Sequence, residues 1–270
     1  MIGILFHTSF LGYLAATVLA VLHLVRRGQT AHLWGLRLAW GAWGLQTLAL
    51  LAQVIVRGRL PLSSFHEAAG VVIWGGVLLY LIAEHRYGVP VLGAFVLPLV
   101  CALALSGVGF PRGIPRAALA LDGWWSWLHG LLALLGMAAL TLNFCAALMF
   151  LLGERQLKGR RPGLFFYRFP SLEVLDHLSV QTLTLGFPFL TLGLLLGTLR
   201  AGTVWGSYWS WDPAEAASLL AWLAYAATLS GRAVGGWRGR RAAVGAIVGF
   251  LALVLTLSAG FFLPSRHVAL

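Results

Sequence analysis

Apolar residues in this chain come in long, nearly unbroken runs. Half-buried strands would show strict alternation, and surface helices a one-sided stripe. Runs of about 18 to 25 apolar residues are long enough to cross the hydrocarbon of a bilayer as helices. Eight are predicted, near residues 3–25, 34–56, 65–84, 88–108, 126–152, 177–199, 214–231 and 242–262. The connections are short except at 109–125, which contains FPRGIPRAALALDGWW, and at 153–176, which contains GERQLKGRRPGLFFYRF. No soluble domain, low-complexity tract or internal repeat interrupts them. Residues 1–270 therefore form one integral membrane domain, an all-α polytopic helix bundle. The opening MIGILFHTSF lacks the basic start and small-residue cleavage site of a secretory signal and is expected to belong to the first span.

Composition agrees, with 60% hydrophobic and 10% charged residues, where a soluble domain carries roughly 25% charged. A formal charge of +11 would suggest a nucleic-acid partner in a soluble protein. In a membrane chain it sets topology instead, because Lys and Arg flanking the spans stay on the cytoplasmic side. With the N-terminus outside, the inner side receives Arg26, Arg27, Arg37, Arg86, Arg155, Lys158, Arg160, Arg161, Arg168, Arg232, Arg238, Arg240 and Arg241. Only Arg57, Arg59, Arg112, Arg116, Arg200 and Arg266 fall outside. Eight spans then put the C-terminus outside too, with the loop between spans six and seven facing outward in the plasma membrane. The same sorting places His7, His66, His129 and His267 on the outer side and His23, His32, His85 and His177 on the inner side. Cys101 and Cys145 lie in apolar runs without CxxC spacing and are expected to pack as free thiols.

The external loop at 201–213 ends in WGSYWSWDP, where Trp205, Tyr208, Trp209 and Trp211 crowd together. Tryptophan and tyrosine concentrate at membrane interfaces, which suffices for the scattered Trp34, Trp40, Trp43, Trp74 and Trp237. Asp212-Pro213-Ala214-Glu215 also has a structural reading, with Asp212 as helix cap, Pro213 in the first turn and Glu215 completing a capping box. Neither accounts for so dense a cluster, spaced by the small residues Gly206, Ser207 and Ser210. Flat aromatic surface with few charges suits a planar apolar cofactor. Haem is one, since its iron takes imidazoles, its propionates seek arginine and its macrocycle stacks on rings.

WGSYWSWDPAEAASLLAWLAYAATLSGR resembles the tryptophan-rich WGxxWxWD signature of the cytochrome c assembly membrane proteins, within a CcsA and HemX-like branch. The resemblance extends upstream through PSLEVLDHLSVQTLTLGFPFLTLGLLLG and, more faintly, to LPLSSFHEA, so that residues 60–267 can be laid on the family. It implies that Trp205, Gly206, Tyr208, Trp209, Trp211 and Asp212 form a haem platform. His129 and His267 would be the external axial ligands of the iron, and the cofactor a non-covalently held haem b. His66, beside Glu67 at the outer mouth of span three, is a further candidate, since an adjacent carboxylate can orient an imidazole. His7, and Arg57, Arg59, Arg200 and Arg266 for the propionates, are weaker ones.

The resemblance implies that haem is held and presented at the outer face for cytochrome c assembly. Partners would be a second membrane haem-lyase subunit and an apocytochrome c, whose CxxCH thiols add to the haem vinyl groups. The chain would be at most a subunit of a haem lyase. GxSxG, HExxH, P-loop and CxxCH motifs are absent from the sequence. The alternative is a HemX-like regulator of tetrapyrrole biosynthesis that binds haem or a partner enzyme without transferring haem. Ser230, where haem-exporting synthases carry a further histidine, and the lack of a large partner domain favour that alternative. Inside the spans, Gln46, Gln53, Asn143 and Gln181 are expected to hydrogen-bond between helices, Asp176-His177 to cap span six, and KGRR to anchor the inner side.

Overall fold

The computed structural model describes residues 2–26, 28–58, 61, 64–106, 124–159 and 166–262. Among these are eight long helices: α1 Ile2–Arg26, α2 Gln29–Arg57, α3 Phe65–Tyr87, α4 Gly93–Ser106, α5 Trp124–Lys158, α6 Leu172–Trp205, α7 Pro213–Ala233 and α8 Arg240–Phe262. The described residues hold no strand. All of these helices except α4 and α7 are long and apolar enough to cross a membrane, and the protein is a polytopic helical membrane protein. α7 has the length, at 21 residues, but carries Glu215 in its first turn and Arg232 in its last.

α4 is shorter than the apolar run that encodes it. At 14 residues it rises about 21 Å, against the roughly 30 Å of a hydrocarbon core. The run is apolar from residue 88, but Gly88 adopts the left-handed conformation that caps α3, and the turn through Pro90 takes up the next residues. α5 and α6 are longer than predicted, at 35 and 34 residues, about 50 Å each. The N-cap of α6 is Ser171, whose side chain accepts from Val174 N, and not Asp176. Asp176 instead receives a forked bond from Arg232, at 2.9 and 3.3 Å, and a third from Gly239 N.

Lipid tails are as apolar as leucine, so close packing and hydrogen bonds hold such helices together. The α5–α6 seam shows both. Gly136 lies against the backbone of Gly186 and Leu190, Gly193 against that of Ala133, and Gly186 under Leu140. Further along, Asn143 Nδ2 donates to Ser179 O at 2.7 Å. In the α1–α2–α3 layer, Tyr13 Oη donates to Gln46 Oε1 and Gln46 Nε2 to Gly70 O, at 2.6 and 2.9 Å. Trp43 and Trp74 stack across α2 and α3 at 5.8 Å, with the Trp74 indole N–H on Thr47. Gln181 differs from the other polar span residues and lies exposed. Cys101 and Cys145 are buried free thiols.

Candidate functional site

The α5–α6 seam ends at His129. A Cβ built on Gly197 would stand 2.7 Å from His129 Cε1 and 3.0 Å from Nδ1, so the imidazole rests on bare backbone. One turn back, His129 Nδ1 lies 2.6 Å from Gly193 O. A carbonyl can only accept, so Nδ1 carries the proton and Nε2 is the basic nitrogen of the neutral ring. Orientation through the opposite nitrogen is the usual arrangement around metal-binding histidines.

His129 lines a cavity of about 200 Å³ with Gly193 and Gly197 of α6, Tyr208 and Trp209 of the loop, and Glu215 of α7. α8 closes it with Thr256, Leu257 and Gly260. Residues 201–205, expected in the loop, complete α6, and the loop itself begins at Gly206, which turns the chain with φ +71°. The Tyr208 ring covers Gly202, where a Cβ would be 2.4 Å from Cε1. Trp209 and Trp211 meet edge to face at 5.7 Å. Trp211 has φ +58°, a costly conformation for a bulky residue, and its side chain is 74% exposed. Asp212 is buried and caps α7 through Ala214 N at 2.9 Å. Glu215 does not close a capping box on the Asp212 amide. Its Oε2 reaches past it to accept from Ser210 N and Ser210 Oγ, at 2.8 and 3.0 Å. One carboxylate thereby fastens the residue between the two tryptophans to α7.

Of the sequence candidates, His129, Tyr208 and Trp209 share one cavity, with Trp211 packed on Trp209, Gly206 at the turn and Asp212 at the cap. The Trp205 side chain, Arg59, Arg266 and His267 lie outside the described residues. His66 lines a different cavity, of about 420 Å³, between α1, α2 and α3. Among the described residues, none lines both. His66 starts α3 with its ring 6.0 Å from that of Phe6. Beside it, buried Glu67 accepts from Gln53 Nε2 at 2.8 Å and forms an ion pair with Arg57. Gly193, Gly197 and Glu215 are additions to the site. GLLLG carries the small-xxx-small spacing of close membrane-helix contacts, which marks the first two in the sequence.

Residues 62–263 match the family model described as Cytochrome C assembly protein. Cytochrome c biogenesis protein CcsA of Synechococcus sp. (strain CC9902) is 32% identical over 237 residues, covering 77% of this chain and 78% of the relative. The CcsA protein of Pyropia yezoensis is 30% identical over 244 residues, 76% of each. That of Chlamydomonas reinhardtii is 34% identical over 221, covering 77% of this chain and 61% of the longer relative. Among solved structures, Cytochrome c Heme Lyase CcmF shares the fold with a TM-score of 0.71 at 18% identity; all of this chain aligns, on 47% of the lyase, so that the chain spans about half of it. The chain belongs to the cytochrome c assembly family.

Proposed function

We propose that the protein holds haem at the outer face of the cell membrane and presents it for cytochrome c assembly, as one subunit of a haem lyase. The observation that carries this is the seat of His129. Its Nδ1–H is fixed on Gly193 O, its ring lies on Gly197, and its cavity is walled by Tyr208 and Trp209. An oriented imidazole at the edge of an aromatic pocket fits the iron and rim of a porphyrin. α8 lines the same cavity, and His267 follows Phe262 by five residues, a reach of up to about 18 Å when extended. His267 supplies the second axial base in this reading. Haem is substrate here, and the protein's contribution is to bind it, hold its plane and exclude water, an orientation effect.

Purification in detergent and absorption spectra of wild type, His129→Ala and His267→Ala test the ligand pair. Wild type shows a bis-histidine low-spin haem spectrum, weakened in each variant; an unaltered spectrum in both variants refutes the assignment. Deletion of the gene separates assembly from the regulatory alternative. Loss of covalent c-type cytochromes supports assembly, whereas normal cytochromes with an altered level of an early tetrapyrrole enzyme support regulation.

A further inference from the structure

The first two helices carry charge of one sign. Residues 1–57 contain four arginines and neither aspartate nor glutamate. Arg57, at the outer end, is answered by Glu67 of α3. At the inner end Arg26 and Arg37 are both exposed, and among the described residues no carboxylate pairs with either. Glu84, at the inner end of α3, is buried and already taken by His32, at 3.3 Å. α1 and α2 also precede residues 62–263, the part that matches the assembly family.

Arg37 stands out by its depth. α2 has 29 residues, about 43 Å, which matches the ~40–45 Å of a bilayer with its headgroups, of which about 30 Å is hydrocarbon. Each headgroup layer then takes up about 6 Å of the helix. Long side chains lean toward the N-terminus of their helix, here toward the inner surface, and an arginine that only marked topology would extend its head to water. The head of Arg37 folds instead onto the ring of Trp34, with Cζ 5.1 Å from the centroid, inside the ~6 Å range of cation–π attraction. The Cα of Trp34 is itself about 7.5 Å from the helix start, so the guanidinium is held where phosphate and glycerol meet the acyl chains. Stacking uses the face of a guanidinium and leaves its in-plane N–H donors for an acceptor beside the ring. A phosphate at that depth accepts two of them in parallel. Trp40 lies two turns deeper than Trp34, is 44% exposed and is braced edge to face on Trp43 at 5.9 Å, so it offers a fixed apolar surface below the charge.

We propose that Arg37, seated on Trp34, binds the phosphate of an anionic phospholipid in the inner leaflet, with Trp40 against the lipid's acyl chains. A net negative headgroup is the one this surface fits. The ammonium of a zwitterionic lipid would find no carboxylate anywhere on α1 or α2, whereas a headgroup with net negative charge also faces Arg26. The bound lipid supplies the missing counter-charge and fixes the depth of α2. Site and ligand stand apart from the haem reading above.

The test is native mass spectrometry of the full-length chain, purified in detergent and titrated with a phosphatidylglycerol or a phosphatidylcholine of identical acyl chains. Wild type should bind the first phosphatidylglycerol about five- to tenfold more tightly than phosphatidylcholine, the scale of one or two basic side chains at a membrane surface. Arg37→Gln should remove most of that preference. Arg37→Lys keeps the charge but loses the fork and should restore it only in part, and Trp34→Ala should weaken it while Arg37 remains. Arg238→Gln removes an exposed arginine of the α7–α8 turn and should leave the first lipid unchanged. Helical content and elution volume identify the variants that remain folded; Arg37→Lys and Trp34→Ala keep the test decisive if Arg37→Gln does not fold. Equal affinity for the two lipids in wild type, an undiminished preference in Arg37→Gln, or an equal loss in Arg238→Gln, which would mean diffuse attraction to the basic inner face, overturns the proposal. Displacement of the lipid by inorganic phosphate at the same concentration also overturns it, since a lipid site needs the acyl contacts.

Discussion

Gly197→Ala adds one methyl group where the site has least room. The new Cβ would lie 2.7 Å from His129 Cε1 and 3.0 Å from Nδ1, while ordinary carbon contacts begin near 3.4 Å. The imidazole must therefore shift by about 0.7 Å. His129 sits on α5, whose next contact with α6 is the backbone-to-backbone approach of Ala133 and Gly193, already at 3.1 Å for a built Cβ. The helices cannot absorb the methyl group by sliding together elsewhere, so the ring moves. Its bond to Gly193 O, 2.6 Å long, then stretches toward or beyond the usual 2.7–3.2 Å range, and the proton that selects Nε2 is less firmly held.

Loss of such an orienting bond typically costs 10- to 100-fold in metal affinity, equivalent to about 1.4–2.8 kcal/mol. Haemin titration of the purified chain, followed in the Soret band, should show that weakening at the site sensitive to His129. Gly41→Ala is the matched control, since a Cβ there meets nothing within 4 Å, and its affinity should stay within twofold of wild type. Equal affinity in Gly197→Ala, with helical content preserved, would refute the claim that the glycine seat aims His129.

Glu215→Ala removes the acceptor of both Ser210 bonds. Hydrogen bonds to a charged group contribute roughly 1.5–3 kcal/mol, so amide exchange at Ser210 should accelerate ten- to a hundredfold; unchanged exchange would mean that the loop is held from elsewhere. Among the described residues, Arg232→Ala leaves Asp176 with Gly239 N alone and should cost roughly 2–3 kcal/mol, less than the ~3–5 of a fully buried pair because Asp176 is 24% exposed. Thermal unfolding in detergent measures this, and the Arg232→Ala/Asp176→Ala double variant should recover part of the loss. Gly249→Leu drives a side chain into the ring of Tyr225, 2.6 Å from a built Cβ, and overpacking should destabilise the α7–α8 pair by about 1–3 kcal/mol in the same assay. For orientation, cysteine at Tyr208 should react with an impermeant maleimide added to intact cells and cysteine at Arg238 only after lysis. The reverse pattern would invert the topology.

The helices were legible because the length of an apolar run is itself the physical requirement for crossing lipid. Errors arose where backbone geometry overrides hydropathy. Residues 88–92 are apolar enough to extend a span, yet Gly88 in the left-handed region and Pro90 close α3 and delay α4. Local grammar misled in a similar way at Asp176, whose position near a helix start suggested a cap. Its partner, Arg232, lies 56 residues away, beyond the reach of any motif. Glu215 shows a partial success. The spacing from Asp212 correctly signalled a carboxylate working at the start of α7, but the aromatic loop folds back so that Ser210, and not the Asp212 amide, meets it.

The histidines show what a topology argument can resolve. Counting charges assigns each residue a depth, and His7, His66 and His129 share the depth of the tryptophan loop. Depth does not give position around the bundle. That is fixed by which helices pack, and packing here depends on small residues whose partners are distant in sequence: Gly136 on Leu190, Gly193 on Ala133, Gly197 on His129. The α5–α6 seam carries His129 under Tyr208 and Trp209, while the α1–α2–α3 layer carries His66 to Phe6 and Gln53. Residues of one chemistry at one depth are thus divided between two cavities, and an outer histidine can be assigned to a ligand only after the seam it stands in is known.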